Sequence, residues 1–417
     1  MLTARGVALT GLAVVAWMLG RFLGVDELYV VSGTAAALVV LAIVSTRMSS
    51  TRIAVRRRTA ARYAHQGERI PIELALRNDG RLPASLLLVE DRRPPAIVAD
   101  GADEGARVVV QGLRPHQMAN LEWHAVGNRR GRYTVGPVRI RLRDPFGLAE
   151  RSRRYRGTDE IVVFPAIEQL STVGTHGIRH GMDSSASRRV FHRGDEFHTM
   201  RTYVVGDDLR HVHWPSTAHR GTLMVRQHEL PWQAGAVVYV DARAHLHRGT
   251  GRASTFERAI SAAASVLAHL QQQRYDVRLV TDDGPGAQPD GGSQLETAMT
   301  RLAELRPATD HSPLPALRTV EQTGNGVLVA VLRPPPDDLD LAEHIEVRAL
   351  QQAGHSYTGR IALVIGHDDD VRCATFARLL GLGGWHSAVA QVGTPLDDAW
   401  KRALVGADIA RTVGASR

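Results

Sequence analysis

The sequence predicts a multi-domain membrane protein with an N-terminal transmembrane helical hairpin, an antiparallel β-sandwich-like domain and a C-terminal doubly wound α/β domain. Three observations predict this fold. Two uncharged apolar runs lie before residue 50, short strand patterns continue to about residue 170, and apolar strands alternate with helical patterns after residue 230. A chain of 417 residues is long enough for two or three domains.

The hairpin occupies residues 1–50, with helices predicted at about 6–24 and 28–45. The second apolar run can cross a hydrocarbon core of about 30 Å at about 1.5 Å per residue. The first run reaches a similar length if the Arg21 side chain extends towards the membrane surface. A cleaved signal peptide is the alternative for the first run, but the charged residues that follow it fit a cleavage site poorly.

The charges beside the hairpin predict its orientation. The loop at 21–27 carries one arginine against Asp26 and Glu27, whereas the segment after the second helix contains arginines and no acids. These arginines are Arg47, Arg52, Arg56, Arg57, Arg58 and Arg62. The positive-inside rule therefore places the N-terminus and residues 46–417 in the cytoplasm of a multi-pass cell-membrane protein. We expect the arginines to contact anionic headgroups, each contributing about 1 kcal/mol.

The composition excludes several classes of site. The net charge is +8, and Lys401 is the only lysine, a bias typical of a GC-rich genome. Much of the basic excess lies beside the apolar segments, and the arginine runs lack interleaved aromatic residues. A membrane surface is therefore favoured over specific nucleic-acid binding. Cys373 is the only cysteine, which excludes an intramolecular disulfide and a zinc site with two thiolates.

Residues 51–175 predict the β-rich domain. Its alternating apolar segments are separated by turn residues and show no helical period, which is typical of an antiparallel sandwich. The predicted strands are 70–78, 82–91, 106–113, 119–126, 133–142 and 160–167. No catalytic constellation occurs among them, so a structural or binding role is expected.

Residues 187–229 form the most polar run of the chain, and two interpretations compete for it. In the first, His211 and His213 lie on one face of a strand and bind a metal, with Asp207 as ligand or supporting partner. In the second, arginines and acids form a surface network for another protein, with apolar residues that include Trp214 on its buried side. The absence of a third ligand at fixed spacing favours the network.

The same run closely resembles the signature of the domain of unknown function 58 (DUF58) family. That signature contains an R-x-Y-x-x-GD-x-x-R-x-I-x-W core, a small residue and a basic turn before L-x-V-[KR]. The residues assigned to it are Arg201, Tyr203, Gly206, Asp207, Asp208, Arg210, His213, Trp214, Thr217, Arg220, Leu223, Val225 and Arg226. The DPFGL motif at 144–148 and the VFP strand at 163–165 extend the resemblance over nearly the whole chain.

Residues 176–417 contain this signature and the α/β domain. Apolar strands are predicted at 236–242, 277–282, 326–333, 360–366 and 387–393, and helices at 254–273, 293–306, 337–354, 370–380 and 396–404. Ser254 with Glu257 forms a capping box at the first of these helices. Buried strands between helices predict a mostly parallel sheet, which binds ligands at the carboxyl ends of its strands.

The first of these strands ends at Asp241, and the domain resembles a von Willebrand factor A-like domain, which the family resemblance also implies. Metal-binding members have D-x-S-x-S here, whereas this chain has Asp241-Ala242-Arg243-Ala244-His245. Both serines are absent, and Arg243 brings a positive charge. We expect no cofactor; the alternative is a divalent metal such as magnesium at Asp241 with help from 282–283.

The family resemblance implies a membrane-anchored cytoplasmic adaptor that works with a MoxR-type AAA+ ATPase in complex assembly or cell-envelope processes. The signature residues would then form the partner surface, and no enzymatic activity is expected. The alternative is a metal-dependent hydrolase that uses the cluster at 207–213, with His211, His213 and Asp207 as the reactive residues.

Overall fold

The computed structural model describes most of the chain and divides it into two compact units. The described residues are 1–49, 53–81, 83–100, 107–172, 198–203, 212, 214–228, 235–282, 284–285, 293–309, 312–324, 326–335, 341–367 and 370–414. The first unit comprises Met1–Ala166 with Leu302–Glu304, and the second comprises Ile167–Arg301 with Leu305–Arg417.

The first unit begins with two helices, α1 (Ala4–Leu23) and α2 (Asp26–Ser49), as the sequence predicts. Gly24, with a positive φ of 68°, ends α1 and allows the tight connection. The Ser32 hydroxyl donates a hydrogen bond of 2.8 Å to the Ala13 carbonyl oxygen, which joins the helices. Small residues are buried between them, and most of the large apolar side chains are exposed. Both helices are long and apolar enough to cross a membrane.

The turn of the DPFGL motif holds the start of α1. The buried Asp144 carboxylate accepts hydrogen bonds from the backbone nitrogens of Phe146 (2.9 Å) and Ala149 (2.5 Å), which closes the turn. The Thr3 backbone nitrogen then donates to the carbonyl oxygen of Leu148 at 2.9 Å. Gly6 lies so close to the same carbonyl that a side chain there would clash with it. The motif therefore attaches the hairpin to the β-rich part of the unit.

The rest of the unit is a β-sandwich of eleven strands. They are β1 (Ile53–Thr59), β2 (Tyr63–His65), β3 (Arg69–Asn78), β4 (Ala84–Asp91), β5 (Ile97–Ala99), β6 (Arg107–Leu113), β7 (Met118–Gly127), β8 (Gly131–Val135), β9 (Val138–Arg143), β10 (Glu150–Tyr155) and β11 (Asp159–Phe164). Two antiparallel sheets, β1-β3-β7-β5 and β10-β9-β4-β6, share one apolar core, and a third sheet has the order β2-β11-β8.

Most of the predicted strands are confirmed, but the single strand predicted at 133–142 is wrong. It divides at Gly136-Pro137 into β8 and β9, which belong to different sheets. Gly136 has a φ of 102°, and a side chain on it would meet the guanidinium of Arg57 at 2.6 Å. The apolar alternation changes phase at this point, from Tyr133 and Val135 to Val138 and Ile140, and a Gly-Pro pair is a turn signal, so the sequence does mark the break. Strands β1, β2, β5 and β10 were not predicted.

Arg57 corrects the expectation that every arginine after the hairpin faces the membrane. Its side chain is only 5% exposed and donates from Nη1 to Asp91 at 2.8 Å and from Nε to Asp159 at 2.6 Å. These partners lie on β4 and β11, so one guanidinium joins strands of three sheets. Burial raises the pKa of Asp91 although the charge of Arg57 opposes the shift.

The second unit contains a small hairpin, β12 (His198–Thr202) with β13 (Met224–His228), and a helix between them, α3 (Trp214–Arg220). The α/β part follows. Its elements are β14 (Gly235–Val240), α4 (Thr255–Gln272), β15 (Asp276–Thr281), β16 (Gly284–Pro285), α5 (Gln294–Glu304), α6 (Leu314–Thr323), β17 (Val327–Leu332), α7 (Ile345–Gly354), β18 (Gly359–Gly366), α8 (Val371–Leu382), β19 (His386–Gln391) and α9 (Leu396–Gly414).

The sheet order is β16-β15-β14-β17-β18-β19, with every pair parallel except β15 and β16. Alternate residues of β14 and β17 face α6, α7 and α8, and the fully buried α4 residues pack on the sheet as well. The Ser254 hydroxyl caps α4 at the Glu257 nitrogen, as predicted. Helix α6 was not predicted, and the helix predicted from residue 337 begins at Ile345.

A segment at the start of the second unit is bound to α4 and α9. Glu168 pairs with Arg258 and also accepts a hydrogen bond of 2.7 Å from the Leu396 backbone nitrogen at the start of α9. Ser171 donates to the Asp397 carboxylate from its nitrogen at 2.7 Å and its hydroxyl at 2.9 Å. These contacts join residues 168–171, which precede the DUF58 signature, to the α/β part of the second unit.

We expect Arg57→Ala to destabilise the first unit by about 3–5 kcal/mol, because it leaves the buried Asp91 carboxylate without its cation. The measurement is thermal unfolding of the full chain in detergent. Arg58→Ala is the matched control because Arg58 is exposed on the same strand, and its effect should stay within about 0.5 kcal/mol. Equal melting temperatures for the two variants would contradict the assigned role of the ion pair.

Candidate functional site

The described part of the DUF58 signature forms a hairpin and a short helix. Strands β12 and β13 place Arg201 opposite Val225 and Arg226 opposite Met200. The Tyr203 backbone nitrogen extends the pairing with a hydrogen bond of 2.8 Å to the carbonyl oxygen of Leu223. The two ends of the signature, separated in sequence by more than twenty residues, are thus neighbours in space.

Helix α3 is attached to this hairpin by Thr217. Its hydroxyl oxygen accepts a hydrogen bond of 3.0 Å from the Met224 backbone nitrogen, and Met224 and Val212 are buried as predicted. The prediction that Trp214 lies on the buried side is wrong, because its side chain is 67% exposed. Arg220, at the other end of the helix, is also exposed.

The remaining signature residues lie outside the described residues. They are Gly206, Asp207, Asp208, Arg210 and His213, and His211 of the predicted metal site lies outside the described residues as well. Among the residues that the structure does describe, no cluster of three histidine, cysteine or acidic side chains is arranged to hold a metal. The metal-dependent hydrolase therefore stays a prediction.

A second cluster lies at the carboxyl edge of the large sheet. Strand β14 has β15 on one side and β17 on the other, and the chain reverses its winding direction between β14 and β17. Ligands of doubly wound proteins bind at such a switch point. Asp241, Asp282 and Arg333 follow these three strands directly, and all three are buried.

The Asp241 carboxylate is held by Arg243. The guanidinium donates from Nε to Oδ1 at 3.0 Å and from Nη2 to Oδ2 at 2.8 Å, and its Nη1 donates to Glu346 on α7 at 2.7 Å. Burial acts against the charged form of Arg243, but the hydrogen bonds with Asp241 and Glu346 outweigh it and raise its pKa. A cation thus already covers both oxygens of the predicted metal ligand.

Asp282 is the second carboxylate of the cluster. It accepts hydrogen bonds of 2.7 Å from the Tyr239 hydroxyl and from the Ala242 backbone nitrogen. Burial, together with the nearby charge of Asp241, raises the pKa of Asp282 to about 7. Near neutral pH Asp282 is therefore about half protonated.

Arg333 lies at the carboxyl end of the neighbouring strand, β17. Its Nη1 donates to the carbonyl oxygen of Ile365 at 3.1 Å, and its Nη2 donates to Asp370 at 2.8 Å. Burial and the neighbouring Asp370 raise the pKa of the Cys373 thiol to about 12, so it is protonated at neutral pH and is a poor nucleophile. Burial also lowers the pKa of His247, whose ring contacts the Asp241 carbonyl oxygen.

The cavity at this edge has a volume of about 30 Å³, and Asp241, Arg243, Arg333 and Glu346 are among its lining residues. That volume is close to the space of one water molecule, whereas ligand pockets usually measure about 300–1,000 Å³. The arrangement holds strand ends and a helix start together, and it leaves no space for a substrate among the described residues.

The sequence identified only part of this cluster. Asp241, Arg243 and Asp282 follow predicted strands, and the same positional rule would have found Arg333. Glu346 carries no comparable signal, because only the packing of α7 brings it to Arg243. The metal prediction at Asp241 remains untested.

The geometry defines a protein with two apolar helices, a β-sandwich and an α/β unit that carries a polar hairpin. The sequence model described as "Protein of unknown function DUF58" matches residues 199–324. A relative from Bacillus subtilis (strain 168), "Uncharacterized protein YeaD", is 25% identical over 207 residues, which is 49% of each chain. The match therefore spans about half the length of that relative. Both matches support the DUF58 family for this chain.

Similarities to solved structures are weak. The CARDB domain of the PF1109 protein from Pyrococcus furiosus aligns with 27% of this chain and 91% of its own, at 14% identity and a TM-score of 0.19. The GAE domain of GGA2p from Saccharomyces cerevisiae aligns with 25% of this chain and 89% of its own, at 12% identity and a TM-score of 0.19. At these TM-scores neither similarity supports an inference.

We expect Asp282 to make the α/β unit less stable as the pH rises from about 4 to 7. The folded pKa of about 7 lies above the unfolded value of about 3.9, so in this window the folded state keeps a proton that the unfolded state has released. Across this range the free energy of unfolding should fall more steeply for the native chain than for Asp282→Asn, by up to about 1.4 kcal/mol per pH unit, and the melting temperature should follow it. Parallel pH profiles would contradict the raised pKa of Asp282.

We expect Arg243→Ala to lower the stability by about 3–5 kcal/mol, because Asp241 and Glu346 lose their common cation. Millimolar magnesium should restore part of the loss in this variant and leave the native melting temperature unchanged. Arg278→Ala removes an exposed arginine of β15 and serves as the control. Stabilisation of the native chain by magnesium would instead support a metal at Asp241.

Proposed function

We propose that this protein is a membrane-anchored cytoplasmic adaptor of the DUF58 family, whose α/β unit is von Willebrand factor A-like. It works with a MoxR-type AAA+ ATPase in complex assembly or cell-envelope processes. The family resemblance supplies the partner class, and the chemistry of the two units supports the anchor and the adaptor role separately.

The exposed apolar surface of α1 and α2 supports the anchor. Leu12, Trp17, Phe22, Val30 and Leu41 are all more than half exposed, although they lie on long helices without interior acids. Exposed apolar patches of this extent are rare on soluble monomers and are typical of surfaces that meet lipid or another protein. A core helix of a soluble protein would be mostly buried, whereas only about a fifth of the apolar stretch of each of these helices is buried.

The charges at the two ends of the hairpin support a cytoplasmic location for the large units. Asp26 and Glu27 lie in the first turn of α2, at the connection between the helices. Arg47 lies in the last turn of α2, and the strand that follows it carries Arg56 and Arg58 with exposed side chains. Basic residues favour the cytoplasmic side of a membrane. Arg57 is buried in the sandwich, but the other arginines keep the charge difference between the two ends of the hairpin.

The observation that carries the adaptor role is the pairing of Arg243 with Asp241. An enzyme of this fold class uses the switch point for substrate or metal, and here a guanidinium covers the carboxylate beside a cavity of about 30 Å³. The Cys373 thiol near this edge is protonated at neutral pH, with a pKa of about 12, and is therefore a poor nucleophile. A protein that only binds a partner does not need an open ligand site at this edge of the sheet.

Helix α3 offers a surface for the partner. Trp214 and Pro215 are exposed at its start, Arg220 is exposed at its end, and Leu223 is 39% exposed just beyond it. Tryptophan and arginine are the residues most enriched at binding hot spots. Thr217 attaches the helix to β13, so this apolar and basic surface is presented on a supported element.

We expect Trp214→Ala to lower crosslinked co-purification of an AAA+ ATPase from native membranes by about 30-fold, as for a hot spot of about 2 kcal/mol. Asp207→Ala and Arg210→Ala should act in the same direction. Because Trp214 is exposed, the melting temperature and the membrane fraction should not change.

The matched control is Leu382→Ala, which removes a side chain that is 84% exposed on α8. Its recovery of the ATPase should equal that of the native chain. Unchanged recovery with Trp214→Ala would exclude this surface. Stoichiometric zinc that is lost on His213→Ala would support the hydrolase instead.

A further inference from the structure

A large cavity lies where the helical hairpin meets the β-sandwich. Its walls are the start of α1, the last turns of α2, and residues of β9 and β10, and its volume is about 960 Å³. We call it the collar cavity. The start of α1 and the end of α2 are at the same end of the hairpin. The cavity is therefore at the depth of the lipid headgroups if the helices span the bilayer.

The lining of the collar cavity contains both basic and apolar residues. Arg47, Arg143 and Arg151 line it against a single acid, Glu150, so its side chains carry a net charge of +2. Arg143 pairs with Glu150 at 3.1 Å. Ile43 supplies apolar surface from α2, where the neighbouring Val40, Leu41 and Val44 are exposed.

The walls of the cavity are held together by backbone hydrogen bonds. The Met1 backbone nitrogen donates to the Glu150 carbonyl oxygen at 2.8 Å, and Leu2 pairs with Ala149 as an isolated antiparallel bridge. The turn closed by Asp144 fixes the same helix start from the other side. These bonds hold the start of α1 against the turn and the first residue of β10.

We propose that the collar cavity binds the phosphate headgroup of an anionic phospholipid, with Arg47 and Arg151 pairing with the phosphate and an acyl chain lying along Ile43. The proposal rests on the membrane anchoring proposed above. Arginine guanidinium groups form charge-assisted hydrogen bonds with phosphate oxygens. A cavity with arginines and Ile43 in its lining, on a helix with exposed apolar side chains, suits a lipid better than a free phosphate.

The test is native mass spectrometry of the full chain in a neutral detergent, with phosphatidylglycerol and phosphatidylcholine of identical acyl chains. Phosphatidylglycerol should be retained preferentially. Arg47→Gln and Arg151→Gln should each weaken its retention about 5-fold, and the double variant about 30-fold. Arg151→Lys keeps the charge and should retain most of the binding.

Arg114→Gln is the control, because Arg114 is exposed just after β6, at the opposite edge of the sheet from β10. It should bind phosphatidylglycerol as the native chain does, and melting temperatures should be equal for all variants. Equal retention of the two lipids, or unchanged retention in the double variant, would overturn the proposal. Glycerol 3-phosphate that binds as well as the lipid would overturn a lipid as the source of the phosphate.

Alkaline carbonate extraction of native membranes separates this proposal from the anchoring. If the chain is extracted, the anchoring fails and the lipid proposal fails with it. If the native chain and the double variant both stay in the membrane while lipid preference is absent, only the lipid site is wrong. The expected result is that both stay in the membrane and only the native chain prefers phosphatidylglycerol.

Discussion

The attachment of the helical hairpin to the β-sandwich depends on the carboxylate of Asp144. It closes a turn by accepting two backbone hydrogen bonds, and the carbonyl oxygens of that turn hold the start of α1. Without this turn the start of α1 would keep its contacts with Ala149 and Glu150, which run through Leu2 and Met1. The turn adds a second set of hydrogen bonds between the hairpin and the sandwich. It also creates the collar cavity between the helix ends and β10.

Buried arginine is the recurring device in both units. Arg57 joins strands from three sheets of the sandwich, and Arg243 joins the end of β14 to the start of α7. Each is surrounded by two carboxylates, so that its positive charge is compensated within the protein. Buried pairs of this kind contribute little net stability, but removal of one partner is costly, and they therefore favour a single arrangement of the elements they join. At the sheet edge this arrangement occupies the position where related folds bind ligands.

Much of the fold followed from periodicity, and the failures have identifiable causes. The strands of the α/β unit were predicted closely because they are buried on both faces and read as continuous apolar runs. Strand β1 was missed because its arginines resembled a membrane-flanking segment. Strands β8 and β9 were merged because the residues on both sides of Gly136-Pro137 alternate, although the phase of the alternation changes there. At the candidate site, position after a strand identified Asp241 and Asp282, but nothing local indicated Glu346, whose role depends on helix packing.

The sequence by itself determined the apolar helices, the succession of β-rich and α/β parts, and the DUF58 signature, because composition, periodicity and local motifs are properties of neighbouring residues. Only the tertiary structure decided which charges meet. An arginine side chain is a surface cation at Arg58 and a buried support at Arg57. The difference is set by carboxylates that lie 34 and 102 residues from Arg57 in the chain. Trp214 was likewise expected to be buried from its apolar character, and the packing of α3 against β13 leaves it exposed.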